Sequence, residues 1–398
     1  KETKTQANYI AEYYDYYAGL ADKVEGTVLP IDKANMQVIT TRVPIGVVAA
    51  IIPWNSQMLL TAVKLAPALA MGNTIVIKSS ELAPATLFEF AKLIEKTGIP
   101  KGVVNIVSGF GDPCGKALTS HNFVERVAFT GGPETARHII RNSADNLSQV
   151  SLELGGKSPV AVFEDADQEN ALNGITAGIF GASGQSCIAG SRLYIQNSIY
   201  ENFLEKIVNR ANKIKLGPPM EPDTQMGPLS SLKQLEIIEK NIKLTLDQGG
   251  KLKCGGKRHN LSNKGYYFPP TVIECENHNL PTAENELFGP VLTCIIFDKE
   301  SEAISLANET KYGLAASIWT ENLARAHSVA NNMDCGIIWI NDHHKNDPSS
   351  PWGGFKESGI GRENGIEAYM QYTHTRSVVT NYSRKYDDWF SDTKSRYS

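Results

Sequence analysis

The feature that most constrains this chain is a repeated switch between apolar, β-branched stretches and stretches of helical spacing. Residues 43–52 are β-branched and apolar, and 59–70 follow with apolar positions at helical intervals. The pattern recurs as 74–77 then 83–96, 103–107 then 113–120, and 126–129 then 134–143. It restarts after Ser158, with strand-like 159–163 and 192–196 alternating with helical 168–182 and 199–214. Strands separated by helices join a parallel sheet flanked by those helices. An α/β chain with two parallel-sheet domains is the expectation, and 398 residues are too many for one compact core.

Two segments fall outside this alternation. Residues 26–42 read as extended strands, and 376–382 form a short β-branched run. They suit either an arm joining subunits or a hairpin packed on its own chain. The tail after Ser383, rich in charge, Tyr and Trp, carries no pattern.

A net charge of −4 with 21% charged residues gives no basic footprint for nucleic acid. The longest apolar stretch, 43–54, contains Pro44, Gly46 and Pro53, is too short to span a bilayer and reads as a buried strand. No membrane partner is expected, and no signal-peptide pattern opens the sequence. It begins at Lys1 without a methionine, which leaves room for a missing native N-terminus. Six scattered cysteines without a Cys-x-x-Cys pair suit free thiols in a reducing, cytoplasmic setting rather than a disulfide framework or a zinc site.

Chemistry is suggested by glycine-framed motifs. In Gly184-Gln185-Ser186-Cys187-Ile188-Ala189-Gly190-Ser191-Arg192 a cysteine sits on a tight backbone after a helical stretch, as an exposed nucleophile can. The blander reading of a lone cysteine is a small buried hydrophobe. Glu153-Leu154-Gly155-Gly156-Lys157 places a carboxylate beside paired glycines, where it can activate a thiol or water; alone, it also suits a domain linker. Gly109-Phe110-Gly111 with Gly115, and Phe129-Thr130-Gly131-Gly132, each follow a strand and lead into a helix. Such turns offer free N–H groups to phosphate. Asn55, in Pro53-Trp54-Asn55, can donate to an oxyanion or cap a helix.

Together with Lys78-Ser79-Ser80-Glu81, Glu286-Leu287-Phe288-Gly289-Pro290 and Pro351-Trp352-Gly353-Gly354-Phe355-Lys356-Glu357-Ser358-Gly359, these motifs resemble the aldehyde dehydrogenase superfamily over essentially the whole chain. The hydrolytic branch of broad-specificity and betaine-aldehyde-type enzymes is the most similar. The resemblance implies two Rossmann-type parallel-sheet domains plus a small β oligomerisation arm. It divides the chain into a cofactor domain (1–24 and 45–155), a catalytic domain (156–357) and an arm with tail (25–44 and 372–398). It implies NAD, with NADP as an alternative, and a homodimer or homotetramer acting on a small aldehyde.

Carried over by position, the resemblance implies that Cys187 forms a thiohemiacetal and that Asn55 with the Cys187 backbone N–H cradles the oxyanion. After hydride transfer Glu153 activates water against the thioester, with Lys64 and Glu363 as a proton relay behind it. Lys78 and Glu81 would hold the adenosine ribose, Glu286 the nicotinamide ribose, and Phe288 would pack on that part of the cofactor. Ile51, Pro53, Trp54, Gly109, Gly111, Phe129, Thr130, Gly131, Gly132 and Leu154 would complete the cofactor site. Many relatives have Ser where Gly132 stands, and roughly the first fifth of the family's length is absent.

The substrate pocket is expected to include Met58, Val63, Ser186 and Ile188, and a polar mouth with His343 and Lys345 that favours polar or acidic aldehydes. The alternative to an active aldehyde dehydrogenase is a truncated or inactive chain of the same fold with impaired cofactor binding.

Overall fold

The computed structural model describes all residues except 1, 260, 262–264, 384–387, 389 and 391–398, so most of the tail after Ser383 lies outside the described residues. The chain opens with helix α1 (Glu2–Leu20) and strand β1 (Val28–Leu29), which pairs antiparallel with β2 (Met36–Pro44). Then β3 (Val47–Ile51), α2 (Gln57–Ala70), β4 (Thr74–Ser79), α3 (Ala85–Ile94), β5 (Val104–Ser108), α4 (Lys116–Thr119), β6 (Val124–Thr130), α5 (Pro133–Ser143) and β7 (Gln149–Glu153) alternate. They build a parallel sheet in the order β5-β4-β3-β6-β7.

A second series runs through β8 (Pro159–Val162), α6 (Gln168–Phe180), β9 (Arg192–Gln196), α7 (Tyr200–Asn212), α8 (Leu232–Asp247), β10 (Lys251–Cys254), β11 (Thr271–Glu274), α9 (Pro281–Glu284) and β12 (Val291–Phe297). It continues with α10 (Glu300–Asn308), β13 (Tyr312–Gly313), β14 (Ala315–Trp319), α11 (Leu323–Asn331) and β15 (Ile337–Ile340). Its sheet has the order β10-β11-β12-β9-β8-β14-β15, parallel apart from the β10 edge. Both parallel sheets are therefore present, as the alternation predicts.

The final segment, β16 (Phe355–Lys356), β17 (Gly359–Ile360), α12 (Gly365–Gln371) and β18 (Thr373–Asn381), returns to the first half. Strand β17 adds antiparallel to β7, and β18 pairs along the whole of β2. The extended runs around 26–42 and 376–382 thus meet in one three-stranded sheet, β1-β2-β18, whose β18 is almost wholly exposed.

Two sequence expectations need correction. Residues 43–52 are not one strand: Gly46, at φ +122°, breaks the run, so β2 joins the small sheet while β3 enters the parallel one. The helical segment at 168–182 ends at Phe180, because Ala182 and Ser183 both take left-handed backbone angles. Sequence reading also assigned no helix to α1, although Tyr13 and Tyr17, one turn apart, are fully buried against α2 and α12.

Under the second sheet lies a wholly buried guanidinium. Arg192 donates to the carbonyls of Lys157 at 2.7 Å, Ala307 at 2.8 Å and Leu306 at 3.2 Å, and contacts the Tyr194 hydroxyl at 3.0 Å. Arg192→Met fills similar volume but strips the Lys157 and Ala307 carbonyls of this donor, while Leu306 O keeps the Tyr194 hydroxyl at 3.1 Å. We expect a loss of at least about 3 kcal/mol, since each abandoned buried group costs roughly 1–3 kcal/mol. The denaturant midpoint measures it, and a shift worth under about 1 kcal/mol would contradict this account.

Candidate active site

In the first sheet the chain builds outward from β3 in one direction through β4 and β5, then in the other through β6 and β7. Such a reversal opens a crevice at the carboxyl ends of the strands, where open α/β sheets bind ligands. The motifs singled out in the sequence fall at that edge. Pro53-Trp54-Asn55 follows β3, Glu81 follows β4, Gly109 to Gly111 follow β5, Gly131-Gly132 follow β6, and Glu153 ends β7. The second sheet presents its opposite edge, because Gly155-Gly156 precede β8, Cys187 precedes β9, and Glu286 to Phe288 precede β12.

Two contacts join these edges, and two close approaches tie the second edge together. Asn55 Nδ2 donates to Gln185 O at 3.2 Å, and the Trp54 and Phe288 rings lie edge to face at 5.4 Å. Gly156 N–H donates to Glu286 Oε1 at 3.1 Å, and a Cβ at Gly156 would stand 2.7 Å from Cys187 O. Beside Asn55 opens a cleft of about 730 Å³, which Trp54, Met58, Ser183 and Gln185 help to line.

Cys187 is half-buried, less open than the exposed nucleophile expected from its glycines. Its thiol is pushed up to about 12, first by desolvation and then by the charges of Glu286 and Glu153. Both acids are themselves disturbed. Desolvation lifts Glu286 to about 7, opposed by the Gly156 N–H and by Lys157, whose own ammonium is buried and pushed down to about 7, chiefly by desolvation. Desolvation, followed by the neighbouring Glu363, raises Glu153 well above the usual carboxylate range, while Lys64 and Arg362 oppose this. Neither Glu153 oxygen has a hydrogen-bond partner among the described residues.

Behind Glu153, the buried Lys64 Nζ is ion-paired with Glu363 and donates to Thr130 Oγ1 at 2.7 Å. Thr130, expected to face a cofactor, thus has its hydroxyl engaged with Lys64. Lys78 is buried and reaches Glu81 at 3.7 Å. At Gly131 a Cβ would fall 2.4 Å from the tip of the Phe129 ring, so a side chain there would have to displace that buried ring; Gly132 and Gly111 face open space. Ile51, Phe129 and Leu154 are buried in one apolar cluster.

Of the two residues expected at a polar pocket mouth, His343 turns inward and Lys345 outward. His343 is buried, its Nε2 3.0 Å from Ile188 O and its Nδ1 3.2 Å from Ser317 Oγ, so its ring packs beneath the cysteine loop. Lys345 points into solvent and pairs with Asp342 at 3.1 Å. Val63 is buried in the core beneath α2, and Ile188 packs on Leu314, Ala315 and Trp339; Ser186 is half-buried in the cysteine loop.

Sequence reading missed Gln234, which props the segment before β12 by donating to the carbonyls of Leu287 and Phe288. Its signal was a capping pattern, Ser231-Leu232-Lys233-Gln234, in which Ser231 Oγ caps α8 by accepting from Gln234 N–H. Among the described residues, no group of three His, Cys, Asp or Glu could hold a metal ion, and no helix is long and apolar enough to cross a membrane.

A sheet edge of backbone donors facing a loop that carries a cysteine between two carboxylates defines a cysteine-centred dinucleotide-type site. The chain belongs to the aldehyde dehydrogenase family, whose model matches residues 1–378. It is 52% identical over 379 residues to a (Z)-2-((N-methylformamido)methylene)-5-hydroxybutyrolactone dehydrogenase from Acinetobacter baylyi, covering 95% of this chain and 77% of that one. It is 41% identical to a betaine aldehyde dehydrogenase from Bacillus subtilis, covering 98% of this chain and 80% of the relative. A crystal structure of betaine aldehyde dehydrogenase from Staphylococcus aureus in complex with NAD+ superposes with a TM-score of 0.96 at 39% identity, covering 98% of this chain and 78% of that one.

The thiol's environment yields a test without cofactor. Since only the thiolate is alkylated, a thiol at about 12 should react with iodoacetamide ever faster across the neutral to alkaline range. Glu286→Gln removes one of the two nearby charges and should speed alkylation at pH 8 by about threefold to tenfold. A wild-type rate that levels off near neutrality would refute this electrostatic picture.

Proposed function

We propose that this chain oxidises an aldehyde to a carboxylic acid with NAD, using Cys187 as nucleophile and Glu153 as the base for hydrolysis. The observation that carries the reading is the meeting of Asn55, Cys187, Glu153 and Glu286 where the two sheet edges face each other.

The residues fit NAD. The N–H of Gly132, the N-cap residue, stands at the positive end of α5, an 11-residue helix, and suits a pyrophosphate, while the Gly131 N–H is already given to Glu153 O at 3.0 Å. Lys78 and Glu81, at the end of β4, suit the hydroxyls of a ribose. Glu81 favours NAD over NADP, since a carboxylate accepts from ribose hydroxyls and repels a 2′-phosphate. Glu286 and Phe288 stand where the nicotinamide half would reach Cys187. When bound, NAD supplies the hydride acceptor; everything else is the protein's work.

In this reading the Cys187 sulfur adds to the aldehyde carbonyl. Asn55 turns its amide from Gln185 O to the oxyanion, joined by the Cys187 backbone N–H. Once oxidised, the carbon is held as a thioester, which a water activated by Glu153 cleaves to acid and free thiol. Glu363 and Lys64, already paired, hold the proton that Glu153 collects. Residues 1–24 and 45–155 form the cofactor domain and 156–357 the catalytic domain, while the exposed β1-β2-β18 sheet is the arm through which copies assemble.

An aldehyde panel with NAD and NADP, followed by absorbance of the reduced cofactor, tests this reading. Oxidation should run with a higher kcat/KM for NAD, and Cys187→Ala should lower kcat by at least about a thousandfold while the protein still binds NAD. Near-normal turnover in Cys187→Ala, or no oxidation of any aldehyde by the wild type, would sink it.

Glu153→Gln separates the two halves of the reaction. A burst of NADH near one equivalent per site should precede a steady rate slowed by about a hundredfold or more. An unchanged steady rate would remove Glu153 from the hydrolytic role.

A further inference from the structure

The loop that carries Cys187, residues 185–191, has no regular secondary structure and must be held by its neighbours. Asn55, from the first half, donates to Gln185 O in it, and Gly156 lies against Cys187 O. One imidazole, His343, from the segment after β15, also reaches this loop, at Ile188 O. We propose that His343 is a positioning residue for the nucleophile, fixing the backbone next to Cys187 by donating Nε2–H to Ile188 O. The proposal rests on the reading of Cys187 as the nucleophile.

The tautomer follows from the partners. Ile188 O, 3.0 Å from Nε2, can only accept, so Nε2 must carry the proton. Nδ1 is then an acceptor, and the Ser317 hydroxyl, 3.2 Å away on β14, must donate to it. Burial, followed by the neighbouring His344, pushes the ring down to about 3, so it stays neutral and this donor–acceptor order persists at working pH.

The ring is also fixed sterically. A Cβ at Gly178, on α6, would stand 2.5 Å from His343 Cδ2, and one at Gly190, in the cysteine loop, 3.1 Å from Cε1. Trp339 packs on the ring at 5.0 Å between centroids. The imidazole thus sits in a slot cut by two glycines, one of them three residues from the cysteine. A rigid anchor here restricts where the Cys187 sulfur lies relative to Asn55 and Glu153. Misplacement of a reacting atom by about 1 Å can cost on the order of a hundredfold in rate.

The test compares wild type with His343→Phe, His343→Gln and Ser317→Ala, and reads melting temperature, kcat and KM for an aldehyde, and cofactor-free alkylation of Cys187 located by peptide mass. Phe keeps a flat ring but loses both nitrogens, whereas Gln keeps an N–H donor. We expect His343→Phe to lower kcat by about tenfold or more with KM changed less than about threefold, and to shift the alkylation rate by at least about fivefold. His343→Gln should recover most of both losses. Ser317→Ala, which frees the ring to change tautomer, should move both readouts the same way by about threefold.

A folded His343→Phe with kcat and alkylation within about twofold of wild type would overturn the proposal, even if its melting temperature had fallen. Should His343→Phe fail to fold, Ser317→Ala decides by the same criterion. Should the wild type oxidise no aldehyde, the reading of the enzyme fails, while the alkylation rates still report whether His343 holds the loop.

Discussion

The structure depends on one short crossing, the five residues that lead from the end of β7 to the start of β8. Glu153 closes the first sheet, and Pro159 opens the second. Between them Leu154 N–H donates to Ser358 O at 2.9 Å, and Gly155 O accepts from Ser358 Oγ at 2.7 Å. A Cβ on Gly155 would fall 1.9 Å from Glu286 Oε2. At Gly156 a Cβ would stand 2.7 Å from the Cys187 carbonyl, so there bare backbone is a packing requirement, whereas at Gly155 a side chain would have to displace the Glu286 carboxylate. Because this strip is fixed from both sides, Glu153 and the Cys187 loop cannot drift apart without breaking contacts in both sheets.

The same closeness sets the electrostatics. Two acids, Glu153 and Glu286, act on a half-buried thiol, Glu363 stands beside Glu153, and two buried lysines, Lys64 and Lys157, offset them. Burial disfavours the charged forms, so protons are held more tightly by Glu153, Glu286 and the thiol, and released more readily by Lys157. An isolated buried charge would be costly, whereas a cluster that can exchange protons stays near neutrality at modest cost. Lys64 and Glu363 are already paired, which leaves Glu153 as the member without a fixed partner. That is the condition a group needs to accept a proton from water.

Much of this was legible in the sequence where backbone geometry dictates residue type. Strand–helix alternation gives the sheets, and glycines follow strand ends because ligand or neighbouring chain must come close; Gly131 under the Phe129 ring is such a case. Positions set by side-chain direction were not legible. A run of two histidines, a lysine, an asparagine and an aspartate looks solvated, yet His343 turns inward because Gly178 and Gly190, more than a hundred and fifty residues away, leave it a slot. Val63 carries no mark telling core from pocket. The break at Gly46 was hidden because apolar residues flank it on both sides, and only its positive φ separates β2 from β3.

The two sheets contribute in different ways, and their topology explains why. Parallel strands followed by helices put helix N-termini and free N–H groups at the carboxyl edge, so the first sheet presents backbone, a surface suited to a phosphate-bearing ligand. The second sheet meets it with its amino edge, where helix C-termini and long loops arrive. That edge offers little backbone for anion binding and instead places side chains, Cys187 from the loop before β9 and Glu286 from the segment before β12. Reactive groups carried on loops need external support, because nothing in the loop itself fixes their rotamers. Gln234 beneath the Glu286 segment and Asn55 beside the cysteine loop have that character: each is a side chain donating to a loop carbonyl. Loss of such a support would leave the fold intact and the reacting atoms displaced, which makes the carbonyls of these loops, as much as their side chains, part of the site.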